Sequence, residues 1–274
     1  VNATGIAAEV AAVLAEPEVA RKLALAERLC ETALRSPFDP RFARGDPQRP
    51  ARPPSWTVAG SRETPRRPDL SDPRGRRSLV HSVAHIELSA VELALLAVAD
   101  FPGEPRDYYA DMLAIASEEC AHARLLISRL RELGGVLGEE PVHLGLWETA
   151  VRFDGLVERL AVVPRVLEAK GLDVSAPLRA GLRAAGDEAS ARCLDRVYQD
   201  EIGHVAAGTR WFRIACARAG VDAEARFVEL ARPFLPRRRV RALDAAGRRA
   251  AGFSERELAA LTGEAGEVRE GAAG

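Results

Sequence analysis

Two five-residue stretches, EECAH at Glu118–His122 and DEIGH at Asp200–His204, place an acid, a glutamate and a histidine on adjacent turns of apolar, helix-forming sequence. In a helix, residues three apart share a face. Glu119 and His122 therefore point one way, and so do Glu201 and His204. A helix that buries such a face takes a carboxylate and an imidazole out of water, which is costly unless something pairs with them. A metal ion is one such partner, and the repetition constrains the fold to bring two of these faces inward.

The surrounding sequence supplies helices to carry them. Ala, Leu, Arg and Glu dominate a chain that is 47% hydrophobic and 5% aromatic, a composition that favours helix over sheet. Residues from about Thr4 to Arg35 read as one or two helices broken near Pro17. Asp72 is an expected N-cap with Pro73 at the first helical position, and Pro102 stops that long helix. A second long helix ends at Gly134 and Gly135, and the short link makes the two antiparallel. A third helical region covers Leu144 to Lys170, kinked at Pro164 and interrupted at Gly171, with Ser175 capping a continuation to about Ala185. A fourth runs from Asp187 to Ala219, and smaller helices follow near Ala223–Ala231 and Ser254–Leu261. The expected fold is all-α, a four-helix bundle with extra N- and C-terminal helices.

Each Glu-x-x-His pair leaves its ion one carboxylate short, and the other two long helices are the place to look. Glu87 lies about as far before the turn at Pro102–Gly103 as Glu119 lies after it, so the two meet at one level, 32 residues apart. Glu168 precedes Glu201 by 33. The chain thus reads as a twofold repeat whose six metal ligands are Glu87, Glu119, His122, Glu168, Glu201 and His204. Glu118 and Asp200 stand four residues before their histidines and could accept the second ring N–H. Competing acids fit less well. Glu92 points about 140° away from Glu87 on a helical wheel. Glu148 and Glu158 lie too far from Glu201 in sequence. His85 and Tyr198 are candidates for the neighbourhood of the metals. His81 pairs with His85 on one face, His143 reads as a loop residue, and Cys120 points off the ligand face.

The stretch from Ser36 to Arg76 is dense in Pro and Arg and has no apolar period, so it reads as an irregular arm, with Trp56 as its docking point. The expected divisions are residues 1–71 for helices and arm, 72–220 for the bundle and 221–274 for a C-terminal extension. The net charge of -1 argues against a surface built for nucleic acid. Two Arg-rich stretches, the arm and Pro236–Arg241, keep RNA open as a partner. Cys30, Cys120, Cys193 and Cys216 show no C-x-x-C spacing, which fits a reducing compartment. No run of about 18 apolar residues is apparent, so no membrane span and a cytoplasmic location are expected.

The stretches HIELSAVELALLAVADFP, EECAHARLL, HLGLWETA, VPRVLEAKGLDV, DEIGHVAAGTRWF and AAGFSERELAAL resemble the ferritin-like family called "domain of unknown function 455", from about Pro65 to Leu261. More distantly, the pattern is similar to tRNA-hydroxylating diiron enzymes. The resemblance implies a ferritin-like bundle and the same six ligands. Ala123 departs from it, standing where a large aromatic is expected, which widens the space beside the metal. Two ions of iron or manganese suit carboxylate and imidazole ligands with open positions. The leading expectation is an oxygen-activating oxidoreductase with a small-molecule substrate and an external electron donor, alone or as an oligomer. Iron oxidation and storage, or metal buffering, is the alternative. A vestigial metal site on an interaction module is a third.

Overall fold

A computed structural model describes residues 5–36, 39–45, 49–60, 68–235 and 243–262. The described residues are helical apart from turns, irregular stretches such as residues 39–45 and 49–60, and one isolated bridge between Val58 and Val142. The chain divides into two compact units. One comprises residues 1–149 and 180–193, the other residues 150–179 and 194–274.

In the first unit the helices are α1 (Gly5–Ala15), α2 (Val19–Arg35), α3 (Pro73–Asp100) and α4 (Arg106–Glu132), followed by the short α5 (Gly145–Ala150). Asp72 caps α3 by accepting from the Arg74 N–H, with Pro73 behind it. α3 and α4 form the main helix pair, joined through Gly103, whose φ of +85° only glycine adopts freely. α2 packs on α4, and α1 packs on α2 and α3. Leu88, Val91, Leu95 and Leu96 of α3 are fully buried, as are Ala116, Ala123 and Leu126 of α4.

By length and composition alone, α3 is long and apolar enough to cross a membrane. Its apolar window is 78% buried within the protein, the pattern of a core helix.

The arm is pinned to this core by charge. Glu92 of α3 accepts from Lys22 Nζ at 2.5 Å and from Arg52 Nη1 and Nη2 at 2.6 and 2.8 Å. Lys22 also donates to the carbonyls of Leu14 and Ala51. All three side chains are 3% exposed or less. Burial pulls the Lys22 ammonium below the usual lysine range, and the adjacent Glu92 opposes that shift. Trp56 docks, as its sequence context suggested. Its ring lies against Gly138 and 6.2 Å from the His85 ring, and Gly138 has no room for a side chain. The Gly138 N–H donates to His81 Nε2 at 2.8 Å, so His81 is held neutral and buried.

In the second unit α6 (Leu156–Val162) runs through a π-helical turn (Val163–Glu168) into α7 (Ala169–Ala184). α8 (Glu188–Ala219), α9 (Ala223–Ala231), α10 (Ala245–Ala250) and α11 (Glu255–Thr262) follow, residues 180–193 at the end of α7 and the start of α8 counting with the first unit. Here the sequence expectations need correcting. Gly171 does not interrupt the third helix, Ser175 is no cap, and Pro177 sits inside α7. A helical glycine costs about 1 kcal/mol, and Arg248 offsets this from outside by gripping the Ala169 carbonyl and the Asp173 carboxylate. Pro164 starts the π turn in place of a simple kink. The region also splits upstream, where Arg159 holds the Phe153 carbonyl between α5 and α6. α9 packs on α6 and α11, and Phe227 meets Phe212 and Phe253 edge to face. The basic run Pro236–Arg241 lies outside the described residues.

Replacing Glu92 with Ala strands two buried cations, so urea unfolding should show a loss of about 3–5 kcal/mol. Burial lowers the His81 pKa from 6.5, so the unfolded chain binds that proton more readily than the folded one. Stability is then full above about pH 6.5 and declines as pH falls, by up to about 1.4 kcal/mol per pH unit from this residue. Comparing urea midpoints at pH 7.5 and 5.5, His81→Gln should show a smaller drop than the wild type.

Candidate metal centre

The α3–α4 pair brings three of the six expected ligands together inside the first unit. Glu87 comes from α3, and Glu119 and His122 come from successive turns of α4. His122 Nδ1 lies 3.2 Å from Glu119 Oε2 and 3.4 Å from Glu87 Oε2, and the three ligand atoms fall within 4.8 Å of one another. All three residues are buried, at 6% exposure or less. In the second unit α8 repeats the arrangement. His204 Nδ1 lies 3.3 Å from Glu201 Oε2, and both residues are buried.

These distances fit shared coordination. Two ligand atoms about 2.1 Å from one ion stand about 3.0 Å apart at a right angle and about 3.4 Å apart at the tetrahedral angle. A hydrogen bond from a charged imidazole accounts for one carboxylate at such a distance. Two carboxylates face the same His122 nitrogen, whose single proton they would have to share, whereas one metal ion would satisfy all three groups. The donor set is oxygen plus imidazole nitrogen without thiolate, which suits iron, manganese or zinc over copper(I). Cys120, adjacent to Glu119, is buried and its thiol is pushed up by that burial, so it stays a packed thiol.

Glu168 is half-buried at the last position of the π turn and belongs to no cluster of three ligand groups among the described residues. The start of its turn is nevertheless held against α8. Gly208 meets Pro164 so closely that a Cβ there would stand 2.4 Å from the proline ring, and Arg165 Nε donates to Thr209 Oγ1.

The other residues considered for the site have contacts or positions of their own. Asp200 accepts from Arg196 Nε one turn earlier on α8. Glu118 lies on the exposed side of α4. The Tyr198 hydroxyl donates to Asp244 Oδ2 at 2.6 Å, and this acceptor raises the phenol pKa. His85 faces the arm, with Arg52 Nε 3.3 Å from its Nε2. Burial, then the Arg52 charge, hold its pKa well below 6.5. Glu92 anchors Lys22 and Arg52, and Glu158 pairs with Arg226 of α9. Sequence reading missed the Lys22–Glu92–Arg52 group. Its only signal was a lone acid inside the apolar run AVELALLAV.

The family described as "Protein of unknown function (DUF455)" matches residues 15–259. The chain belongs to that family. The match starts in α1 and takes in the arm and the C-terminal helices, a longer span than the motif resemblance from Pro65. A relative from Haemophilus influenzae, described as an uncharacterized protein, is 35% identical over 181 residues. That alignment covers 63% of this chain and 62% of the relative's length. No solved structure matches the chain.

Because Gly208 sets the height of the π turn, Gly208→Ala should force Pro164 away. The expected loss is about 1–3 kcal/mol in denaturant unfolding, larger than for Ala at Gly203, where a Cβ meets nothing within 4 Å.

Proposed function

We propose that this DUF455 chain is a ferritin-like, dinuclear carboxylate protein that binds iron and activates oxygen for oxidation of a small organic substrate. The buried Glu87–Glu119–His122 cluster carries the reading. Its twin on α8, Glu201–His204, supports a second position of the same kind. The near-equal separations, Glu87 to Glu119 and Glu168 to Glu201, support reading the two as a repeat of one ligand pattern. On this reading Glu87, Glu119, Glu168 and Glu201 would supply the carboxylates that hold the metal, and His122 and His204 the imidazoles.

When bound, a ferrous pair supplies the electrons that reduce dioxygen. The chain's residues do the rest. Nδ1 of both histidines faces the carboxylates, leaving each ring's Nε2 to a neighbouring group that sets the tautomer. Burial of Glu119, His122 and His204 excludes bulk water and strengthens every electrostatic contact at the site. An external donor must restore the ferrous state for turnover.

Anaerobic ferrous titration of the metal-free protein should give about two ions per chain, as in carboxylate-bridged bundles. Glu119→Ala or His204→Ala should lose that stoichiometry. No binding, or one ion indifferent to both changes, would sink the proposal. Oxygen uptake then separates the classes. Uptake that continues with a reductant favours an oxidase or monooxygenase, whereas uptake that stops once the iron is ferric favours storage.

A further inference from the structure

The Val163–Glu168 turn makes i→i+5 bonds, with the Ala169 N–H reaching the Pro164 carbonyl. A π turn is an α-helix with one residue too many, and the return to α spacing leaves a carbonyl short of an amide. Left to itself the extra residue can be ironed out. That would rotate everything on one side of it by about 100° and shift it about 1.5 Å along the axis. Glu168 is the last residue of the turn, so its direction depends on the turn being kept.

Something does keep it. Arg248, on the short α10, is 3% exposed. Its Nη1 reaches the Arg165 carbonyl at 3.5 Å and its Nη2 the Ala169 carbonyl at 3.1 Å. Its Nε and Nη2 grip the Asp173 carboxylate at 2.9 and 2.7 Å. One guanidinium therefore spans the turn and the first part of α7. α10 is itself fastened to the same helices. The Asp244 N–H donates to Asp173, and Asp244 accepts from Tyr198 of α8. The side chain of the turn is seized as well. Arg165 is wholly buried, paired with Glu257 of α11 at 2.7 Å, and its guanidinium lies 4.1 to 4.7 Å from the rings of Phe212, Phe227 and Phe253.

We propose that the C-terminal segment is a latch on the metal site. Arg248 is a positioning residue that holds the π turn, and through it Glu168, against the ion bound by Glu201 and His204. The idea rests on the dinuclear reading above, yet the latch itself can be read without metal.

The test uses the full chain with Arg248→Ala, Arg248→Lys and Glu168→Gln, and cobalt(II) as an anaerobic spectroscopic probe. Circular dichroism establishes that each variant is folded. If Arg248→Ala is not, Arg248→Lys serves, because an ammonium keeps the charge but cannot span three acceptors. In the metal-free protein, amides 165–170 should exchange at least about tenfold faster in the Arg248 variant than in wild type, with α3 and α4 unchanged. In the cobalt titration one of two ions should weaken by about tenfold or more, with the loss of the same ligand-field band that Glu168→Gln removes. A merely destabilised fold would weaken both ions together, and that result overturns the proposal. So does unchanged binding of both ions. Wild type that binds no cobalt overturns the dinuclear reading and the positioning role with it. The exchange data then separate that failure from a failure of the latch, since faster exchange at 165–170 would show the latch intact as a structural device.

Discussion

Withdrawing carboxylates and imidazoles from water is the constraint around which this protein is arranged. Glu87, Glu119, His122, Glu201 and His204 are all buried, in helices whose inward faces are mainly apolar. Desolvation penalises each of them, and mutual placement within 3.2 to 3.4 Å is the compensation visible within each unit. A helix cannot bury such a face unless its neighbours are held rigidly at the right height. The contacts next in importance are therefore those that set height, namely the α3–α4 turn at Gly103 and the packing of Pro164 on Gly208.

The two units solve that problem with different means. In the first, two straight helices meet across a short turn, and equal distances from the turn put Glu87 beside Glu119. The buried Lys22–Glu92–Arg52 group then staples the N-terminal helices and the arm to α3. A buried ion group of this sort adds little net stability but tolerates few alternative packings. In the second unit the helix bearing Glu168 is irregular, and its geometry is imposed from outside by residues far along the chain.

That difference explains how much could be read in advance. The long helices, their caps at Asp72 and Gly134, and the Glu-x-x-His faces follow from local rules of period and capping, and the sequence shows them. So does the level of Glu87, which needs only a count of residues from a turn. The course from Leu156 to Ala184 was misjudged because Gly171, Ser175 and Pro177 are local breakers overruled by tertiary contacts. No local signal marks a π turn, and α10 is too short to announce itself by periodicity. Likewise His85 looked like a neighbour of a metal because the arm residues that contact it, Arg52 and Trp56, lie in sequence without any period.

The contact between Arg248 and Asp173 spans 75 residues of chain. A ribosome making about 5–20 residues per second needs several seconds to bridge that gap. During this interval the α3–α4 pair, with Glu87, Glu119 and His122, is already synthesised and built from near-neighbour contacts, while the turn carrying Glu168 still lacks its clasp. Order of synthesis thus becomes order of assembly. The α3–α4 cluster can fold first, and the turn carrying Glu168 is clasped only once the C-terminal helices have emerged.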